Sequence, residues 1–443
     1  MDKFELRIPR LYVDFHLSQA LRRPNEGRDG IHRTRFPLGV SEVRSQCFQL
    51  LARNPTQAGF PPQLEGSQLQ LVSGEYYRDL EREERAWRAQ DHSPGFYQAL
   101  VTLGIGPRLT GRVKGLARAP GSPVSALSSL SIPGGGMLRL QLAGEARKSV
   151  PLDLERWSRT ADALGEGVLQ RLCEIRFAII GAGRNGSLLA ASLAGMGIRS
   201  LTLVDPDRVE RHNLGESVGL QEGDVGQPKT TALKARLAVE YPWASVRALH
   251  APVSAWPALR AVKESDLVIA CPDNEPARMV TGALAAVYGR PLLDFGSGVL
   301  LEAEGVTMGT ELRLILPGDG CILCWAGGPV DLVAVHQNLS GGQDIPARRD
   351  GDWQAERAGS LRSVNTTAVG LAMRLLEDLM LGRVRSSTWM QLIWGQDGLP
   401  NVQHRLHTPV PFSRTCFCAL AGLGDEGIGR LQRWIRNPSS QLG

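Results

Sequence analysis

Two sets of side chains in this 443-residue sequence are spaced for chemistry. The first is Gly181-Ala-Gly183-Arg184-Asn185-Gly186, which follows the apolar run Phe177 to Ile180 and opens a helix-forming stretch. Gly181 permits a tight turn off a strand, Gly183 lets the backbone approach a phosphate without a Cβ in the way, and Gly186 lets the helix pack close to the sheet. The helix N-terminus then offers free N–H groups and the positive end of a dipole to an anion. Asp205 closes the next apolar run, Leu201 to Val204, where it can accept hydrogen bonds from ribose hydroxyls. These residues describe a nucleotide site, and taken alone they fit a nicotinamide dinucleotide best. The second set comes from seven cysteines, an odd number, four of which form two close pairs, Cys321-Ile-Leu-Cys324 and Cys416-Phe-Cys418. In a reducing compartment such pairs point to a metal site before disulfides.

The glycine turn needs a strand before it and a helix after it, and the text supplies both. Beyond the helix Ser187 to Met196 come strands Leu267 to Ala270 and Pro291 to Phe295, with helices Lys229 to Tyr241 and Asn274 to Tyr288 between them. Continuous apolar strands alternating with amphipathic helices predict a parallel sheet covered on both faces. The fold class is therefore α/β, a Rossmann-like, doubly wound, mostly parallel sheet. From about Gly305 the pattern turns to strand-like Val306 to Leu316 and Trp389 to Trp394 around one strong helix, Asn365 to Leu381.

Residues 1–150 read as a separate N-terminal α+β domain. Strand-like runs (Phe4 to Val13, Leu69 to Val72, Met137 to Leu142) accompany a charged helix, Tyr77 to Gln90, and Cys47 looks like a helix interior. Ala117 to Met137, rich in Pro, Gly and Ser, reads as loop. Residues 151–425 form the second domain and 426–443 a tail. The net charge of +5 is mild for this length. A basic cluster, Arg22, Arg23, Arg28, Arg33 and Arg35, lacks interleaved aromatics, so nucleic-acid binding is not expected. No apolar run reaches bilayer-spanning length and the N-terminus lacks a signal-peptide core, which predicts a cytoplasmic protein away from membranes.

More specific than the glycine turn are Asp205-Pro-Asp207-Arg-Val-Glu-Arg-His-Asn213-Leu214, Val225-Gly-Gln-Pro-Lys229, and Cys271-Pro-Asp273-Asn274 with Arg278. In this order they resemble the ThiF/MoeB/ubiquitin-activating (E1-like) adenylyltransferase family, closely from Leu152 to about Val299 and less closely to about Ala419. The resemblance replaces the dinucleotide with ATP. It implies that Asp205 holds the ribose, that Asn213 and Lys229 bind phosphate oxygens, and that Asp273 holds magnesium. Arg156-Trp-Ser-Arg159 resembles a segment whose second arginine reaches the neighbouring active site, making Arg159 a catalytic candidate and implying a homodimer. It also implies structural zinc on Cys321, Cys324, Cys416 and Cys418, with His404 or His407 able to replace one sulfur.

The implied function is ATP-dependent adenylation of the C-terminal carboxylate of a ubiquitin-like protein ending in glycine. Transfer to a thiol follows, with a conjugating enzyme as a further partner, as in bacterial operons of this type. The crossover loop, about 325–362, holds no cysteine between its ends, so adenylation is a firmer expectation than a thioester on this chain. Activation of a sulfur-carrier protein for cofactor synthesis is the alternative; the extra N-terminal domain and the lack of a rhodanese-like extension count against it. A catalytically inactive scaffold is the third reading. It is prompted by Glu216, which stands where the family has an arginine and would repel a triphosphate. Arg184, on the glycine turn, could restore the missing charge.

Overall fold

The structure, a computed structural model, describes residues 3–22, 31–44, 47–53, 67–74, 77–90, 96–104, 112–143, 151–302, 305–325, 361–395, 397–406 and 416–436. The crossover segment 326–360, His407 and residues 437–443 lie outside them, as do Arg23 and Arg28.

The N-terminal part runs β1 (Lys3–Arg7), α1 (Arg10–Arg22), β2 (Ile31–Arg44), β3 (Cys47–Ala52), β4 (Gln68–Gly74), α2 (Tyr77–Ala89), β5 (Gln98–Gly104), β6 (Val113–Arg118), β7 (Ser125–Ala126), β8 (Ser129–Ile132) and β9 (Leu138–Gln141). These strands form one sheet in the order β7-β6-β5-β4-β2-β3-β1-β8-β9, in which the long β2 pairs with β4 through its first half and β3 through its second. Three sequence expectations change here. The strand begun at Phe4 stops at Arg7, because Pro9 has no N–H for the ladder and suits the start of a helix. Cys47 opens a strand and not a helix. β3 lies between β1 and β2, and its run Leu50-Leu51-Ala52 is buried throughout, so no alternation announced it. The stretch 117–137 holds two short strands whose Leu130 and Ile132 are buried.

The second part runs α3 (Ser158–Leu164), α4 (Glu166–Glu174), β10 (Arg176–Ile180), α5 (Arg184–Gly195), β11 (Ser200–Asp205), α6 (Lys229–Glu240), β12 (Ser245–His250), α7 (Trp256–Glu264), β13 (Leu267–Ala270), α8 (Glu275–Val287), β14 (Leu292–Glu302), β15 (Gly305–Ile315), α9 (Arg362–Met380), β16 (Thr388–Trp394), β17 (Pro400–Leu406) and α10 (Asp425–Arg436). The sheet order is β12-β11-β10-β13-β14-β15-β16-β17. The first five strands pair in parallel and the last four pair antiparallel. Buried residues of β10 alternate between two cores. Phe177 and Ile179 join Leu189 and Leu193 of α5 and Leu376 of α9, whereas Ile180 meets Val262 of α7 and Val280 of α8. Coverage on both faces explains the unbroken apolar text of these strands. No helix among the described residues is long and apolar enough to cross a membrane.

The two sheets meet through the ends of inner strands and along α10, a helix in the segment expected as a tail. Val40 of β2 bridges Gly424, and a Cβ on Gly39 would come within 1.9 Å of the Gly422 carbonyl oxygen. Asp425 accepts hydrogen bonds from Lys263 Nζ at 2.8 Å and from the Glu42 N–H at 3.0 Å. Asp266, just before β13, gathers Arg176 at 2.8 Å and Arg7 of the first sheet at 3.1 Å. Burial alone would raise the Asp266 carboxyl, but Arg176 and Arg7 hold it far below the usual carboxylate range. Asp266→Asn leaves both guanidiniums short of a counter-charge and is expected to cost about 3–5 kcal/mol in urea denaturation at neutral pH. A folded-state pKa below the unfolded value stabilises fully above about pH 4 and loses that stabilisation as pH falls further, so the variant's deficit should shrink on acidification.

Candidate nucleotide site and a four-cysteine cluster

The order β12-β11-β10-β13-β14 reverses direction between β10 and β13, and in open α/β sheets ligands bind outside the carboxyl ends of the strands at such a point. The glycine turn occupies that position. Gly181 has φ +100°, in the left-handed region, and a Cβ there would lie 2.7 Å from the Cys271 carbonyl oxygen at the end of β13. A Cβ on Gly186 would lie 1.9 Å from the Gly181 carbonyl oxygen, so α5 packs on its own turn only through glycine. Nothing stands within 4 Å of a Cβ on Gly183, the N-cap of α5, and no side chain caps that helix. Among the described residues no side chain takes the first N–H groups of α5, which leaves them available to an anion.

Asp205 turns inward. Its carboxylate accepts the Ala182 N–H at 2.6 Å and the Asp207 N–H at 2.8 Å, and burial raises its pKa against the opposing pull of Lys229. Lys229, the first residue of α6, places its ammonium 2.8 Å from the Asp207 carboxylate. Ala182, Asp205, Asp207 and Lys229 therefore form one chain of polar contacts joining the glycine turn to the N-terminus of α6. Asp207 had no role in the sequence reading. Its signal was a second carboxylate two residues after the first, at a strand end facing a lysine.

Asp273 is exposed where the chain leaves β13, next to the peptide that covers Gly181. Asn274 is the N-cap of α8, accepting the Ala277 N–H at 2.9 Å. Arg278 is drawn back into the sheet, where the fully buried Asp294 takes it at 2.8 Å and Arg313 at 2.9 Å; its other Nη holds the Pro272 carbonyl at 3.0 Å. Asn213 closes a short turn, its side-chain oxygen accepting the Glu210 N–H at 2.9 Å. That turn is tied to α5 by the bond from the Val218 N–H to Ser187 Oγ at 3.0 Å. Glu216 lies 3.8 Å from Arg184, so each offsets the other's charge. Asn185, Ser297 and the buried Asn365 make a further polar set at 3.0 and 2.6 Å, linking the glycine turn to the first turns of α9. Sequence spacing gave no hint of it.

Arg159 is exposed on α3 with no partner among the described residues, while Trp157 beside it is buried and bonded to the Gly195 carbonyl at 2.9 Å. The structure thus gathers Gly181, Gly183, Gly186, Arg184, Asp205 and Lys229 about the glycine turn, sets Asp273 at the end of the neighbouring strand and Asn213 in the turn before α6, and leaves Arg159 exposed on α3.

The sulfurs of Cys321, Cys324, Cys416 and Cys418 all lie within 4.8 Å of one another, with Cys324 at 3.8 Å from Cys321 and 3.5 Å from Cys418. Four thiolates at the usual zinc–sulfur bond length of about 2.3 Å stand roughly 3.8 Å apart in a tetrahedron. Hydrogen bonds from the three neighbouring thiols pull Cys416 well below the ordinary thiol range. His404 is not part of the cluster: it sits on β17, its ring 2.7 Å from Thr388 Oγ1. The remaining cysteines are poor nucleophiles where buried, burial pushing Cys173 up to about 11 and Cys271 up to about 12.

This is an open, doubly wound α/β domain whose glycine turn lies at the switch point. The chain belongs to the ThiF family, whose sequence profile matches residues 157–384. It is 31% identical over 173 residues to the SAMP-activating enzyme E1 of Haloferax volcanii, a match covering 39% of this chain and 61% of that protein. It is 29% identical over 176 residues to the sulfur carrier protein ThiS adenylyltransferase of Escherichia coli, covering 39% and 67%. Among solved structures it is similar to Escherichia coli MccB with MccA-N7isoASN, at 20% identity and TM-score 0.45 over 62% of this chain and 76% of that one.

Gly186→Ala tests the local geometry independently of any ligand. A methyl group 1.9 Å from a carbonyl oxygen forces α5 off its turn, with an expected loss of about 1–3 kcal/mol in thermal or urea denaturation.

Proposed function

We propose that this chain uses ATP to adenylate the C-terminal carboxylate of a small carrier protein of the ubiquitin-like class, activating it for conjugation. The observation that carries this reading is the polar chain Ala182–Asp205–Asp207–Lys229, which sets a lysine ammonium beside an uncapped helix N-terminus at the switch point. A triphosphate carries more negative charge than a dinucleotide's pyrophosphate and so gains more from a lysine there. The names of the two relatives, an E1 and a sulfur-carrier adenylyltransferase, fit this class of reaction.

A carboxylate is already ionised at neutral pH, so no general base is needed. One of its oxygens forms a bond to the α-phosphorus of ATP, the bond to the β-phosphate oxygen breaks, and pyrophosphate leaves. The first N–H groups of α5 and the Lys229 ammonium bind phosphate oxygens and neutralise the charge that builds on them. Lys229 can leave Asp207 for the triphosphate, releasing that carboxylate, with Asp205 behind it, toward the ribose. Asp273 offers an exposed carboxylate beside the phosphate seat, the donor type magnesium takes, and magnesium there would withdraw charge from the leaving pyrophosphate. Arg159, facing outward, is the side chain a second copy of the chain would receive. With Cys173 and Cys271 held as thiols and Cys47 set on β3 of the N-terminal sheet, this reading gives the acyl group to a thiolate on a partner, which forms the thioester as the carboxyl–phosphate bond breaks and AMP leaves. The Arg184–Glu216 pair weakens the inactive-scaffold reading, because the glutamate does not bring an uncompensated negative charge to the crevice.

Pyrophosphate exchange into ATP, driven by a carrier ending in glycine, is the direct assay. Lys229→Ala should reduce it about 100-fold or more, and Arg184→Ala about tenfold by releasing Glu216; full activity in the lysine variant would remove the proposal. A sulfur carrier that supports exchange where ubiquitin-like conjugation carriers fail would select the alternative substrate class.

We also assign zinc to the four cysteines, where it would crosslink segments some 90 residues apart. Metal analysis should find about one zinc per chain. Cys324→Ser or a strong chelator should release it and lower the melting temperature, whereas metal-free protein with unchanged melting would refute the site.

A further inference from the structure

Between the two sheets lies a cavity of about 40 Å³ bounded by β1, α1, β3, α8 and the start of β14. A water needs roughly 10–15 Å³ of such space, so the cavity has room for a few waters or one ion of phosphate size. Two arginines line it, Arg7 from the first sheet and Arg290 from the second, 3% and 2% exposed.

Their hydrogen bonding is incomplete. Arg7 gives one Nη to Asp266 at 3.1 Å and to the Ser265 carbonyl at 3.3 Å, and its buried Nε has no partner among the described residues. Arg290 donates to the Val262 carbonyl at 3.4 Å, to Gln49 Oε1 at 2.7 Å and to the Lys263 carbonyl, and its buried Nη1 has no partner among the described residues. None of the Arg290 acceptors is charged. Nearby, Arg7, Arg139 and Arg176 share Asp266, and Arg139 also reaches Glu5 at 3.4 Å. Four guanidiniums thus face two carboxylates. Burial and then the Arg7 charge push Arg290 well below its ordinary range, and burial brings Arg7 down to about 10. A buried cation without a counter-charge is strongly unfavourable, and an anion supplied from outside removes the deficit.

We infer that this cavity binds a small oxyanion of the phosphate class between the Arg7 and Arg290 guanidiniums. Such an ion brings acceptors for both unpartnered N–H groups and the negative charge that the cluster lacks. Tyr12, Leu51, Ala285 and Ile315 close the remaining walls and leave no space for a nucleotide. The site is separate from the nucleotide crevice: Arg290, Asp266 and Arg176 stand at the amino ends of β14, β13 and β10, and the glycine turn stands at the carboxyl end of β10. Because one arginine comes from each sheet, the bound ion also fastens the joint between them.

Equilibrium dialysis with radiolabelled inorganic phosphate tests this, using the full chain carrying Lys229→Ala to weaken the nucleotide crevice as a competing seat. About one phosphate per chain is expected at millimolar concentration, displaced by sulfate and not by acetate. Adding Arg290→Gln should weaken binding at least tenfold while circular dichroism confirms the fold. Absence of binding to the Lys229→Ala chain, displacement by acetate alone, or undiminished binding after Arg290→Gln would each overturn the site. Should the arginine variant not fold, a crystal of the unsubstituted chain soaked in arsenate decides: an anomalous peak between Arg7 and Arg290 supports the site, and water alone there refutes it. None of these results depends on whether the chain adenylates a carrier.

Discussion

A single buried carboxylate organises the nucleotide end of this molecule. Asp205 ends β11 and takes main-chain N–H groups from both the glycine turn and the segment leading to α6. Through those two bonds the ends of adjacent parallel strands are locked together, and with them the starts of two helices whose N-termini serve one crevice. The close packing that glycine allows at positions 181 and 186 sets how near β13 comes to the turn, and so where Asp273 stands. Everything proposed about phosphate binding depends on this rigid corner.

Charge is arranged around the corner in pairs that ligand binding can rearrange. Lys229 rests on Asp207, and Arg184 faces Glu216. Both pairs are partly exposed, so each is held by modest energy in water and gives way readily to a multiply charged phosphate. By contrast, Arg278, Arg313, Asp294 and Glu311 form a largely buried ion network, two of each sign, that fixes the chain on either side of Asp273 and leaves no spare charge. The motif arginine, Arg278, thus acts on the site through the Pro272 carbonyl.

The nucleotide-binding half was legible because its signals were local. Unbroken apolar strands, the glycine spacing and acidic strand ends each follow from a short stretch of chain, and the element positions from Phe177 to Phe295 agree with the text to within a few residues, apart from the missed β12 and α7 and the continuation of β14 to Glu302. The N-terminal half was less legible because its strands take meaning from distant neighbours. β3 is buried by β1 and β2, and nothing within Cys47–Ala52 distinguishes that from a buried helix. The pairing of Arg184 with Glu216 joins residues 32 positions apart, and Asn185 reaches Ser297 and Asn365 only through the folded sheet. Apart from Asp207, whose carboxylate stands two residues after Asp205, the missed side chains share one property: their partners are fixed by tertiary structure and not by sequence spacing. The four cysteines were the exception, since paired thiols declare a common purpose at any separation.

The bridge between Val40 and Gly424, with Asp425 capping the same junction, brings together residues separated by most of the polypeptide. During synthesis the N-terminal sheet leaves the ribosome long before α10 exists to cover β2. The stretch of β2 carrying Gly39 and Ser41, which meets Gly422 and Asp425, therefore waits uncovered for hundreds of residues to be added. Domains formed first in translation are vulnerable to premature association through such faces. Docking of α10 is consequently a late, long-range closure, and the yield of native protein in a cell should depend on how well that waiting surface is shielded until α10 has been made.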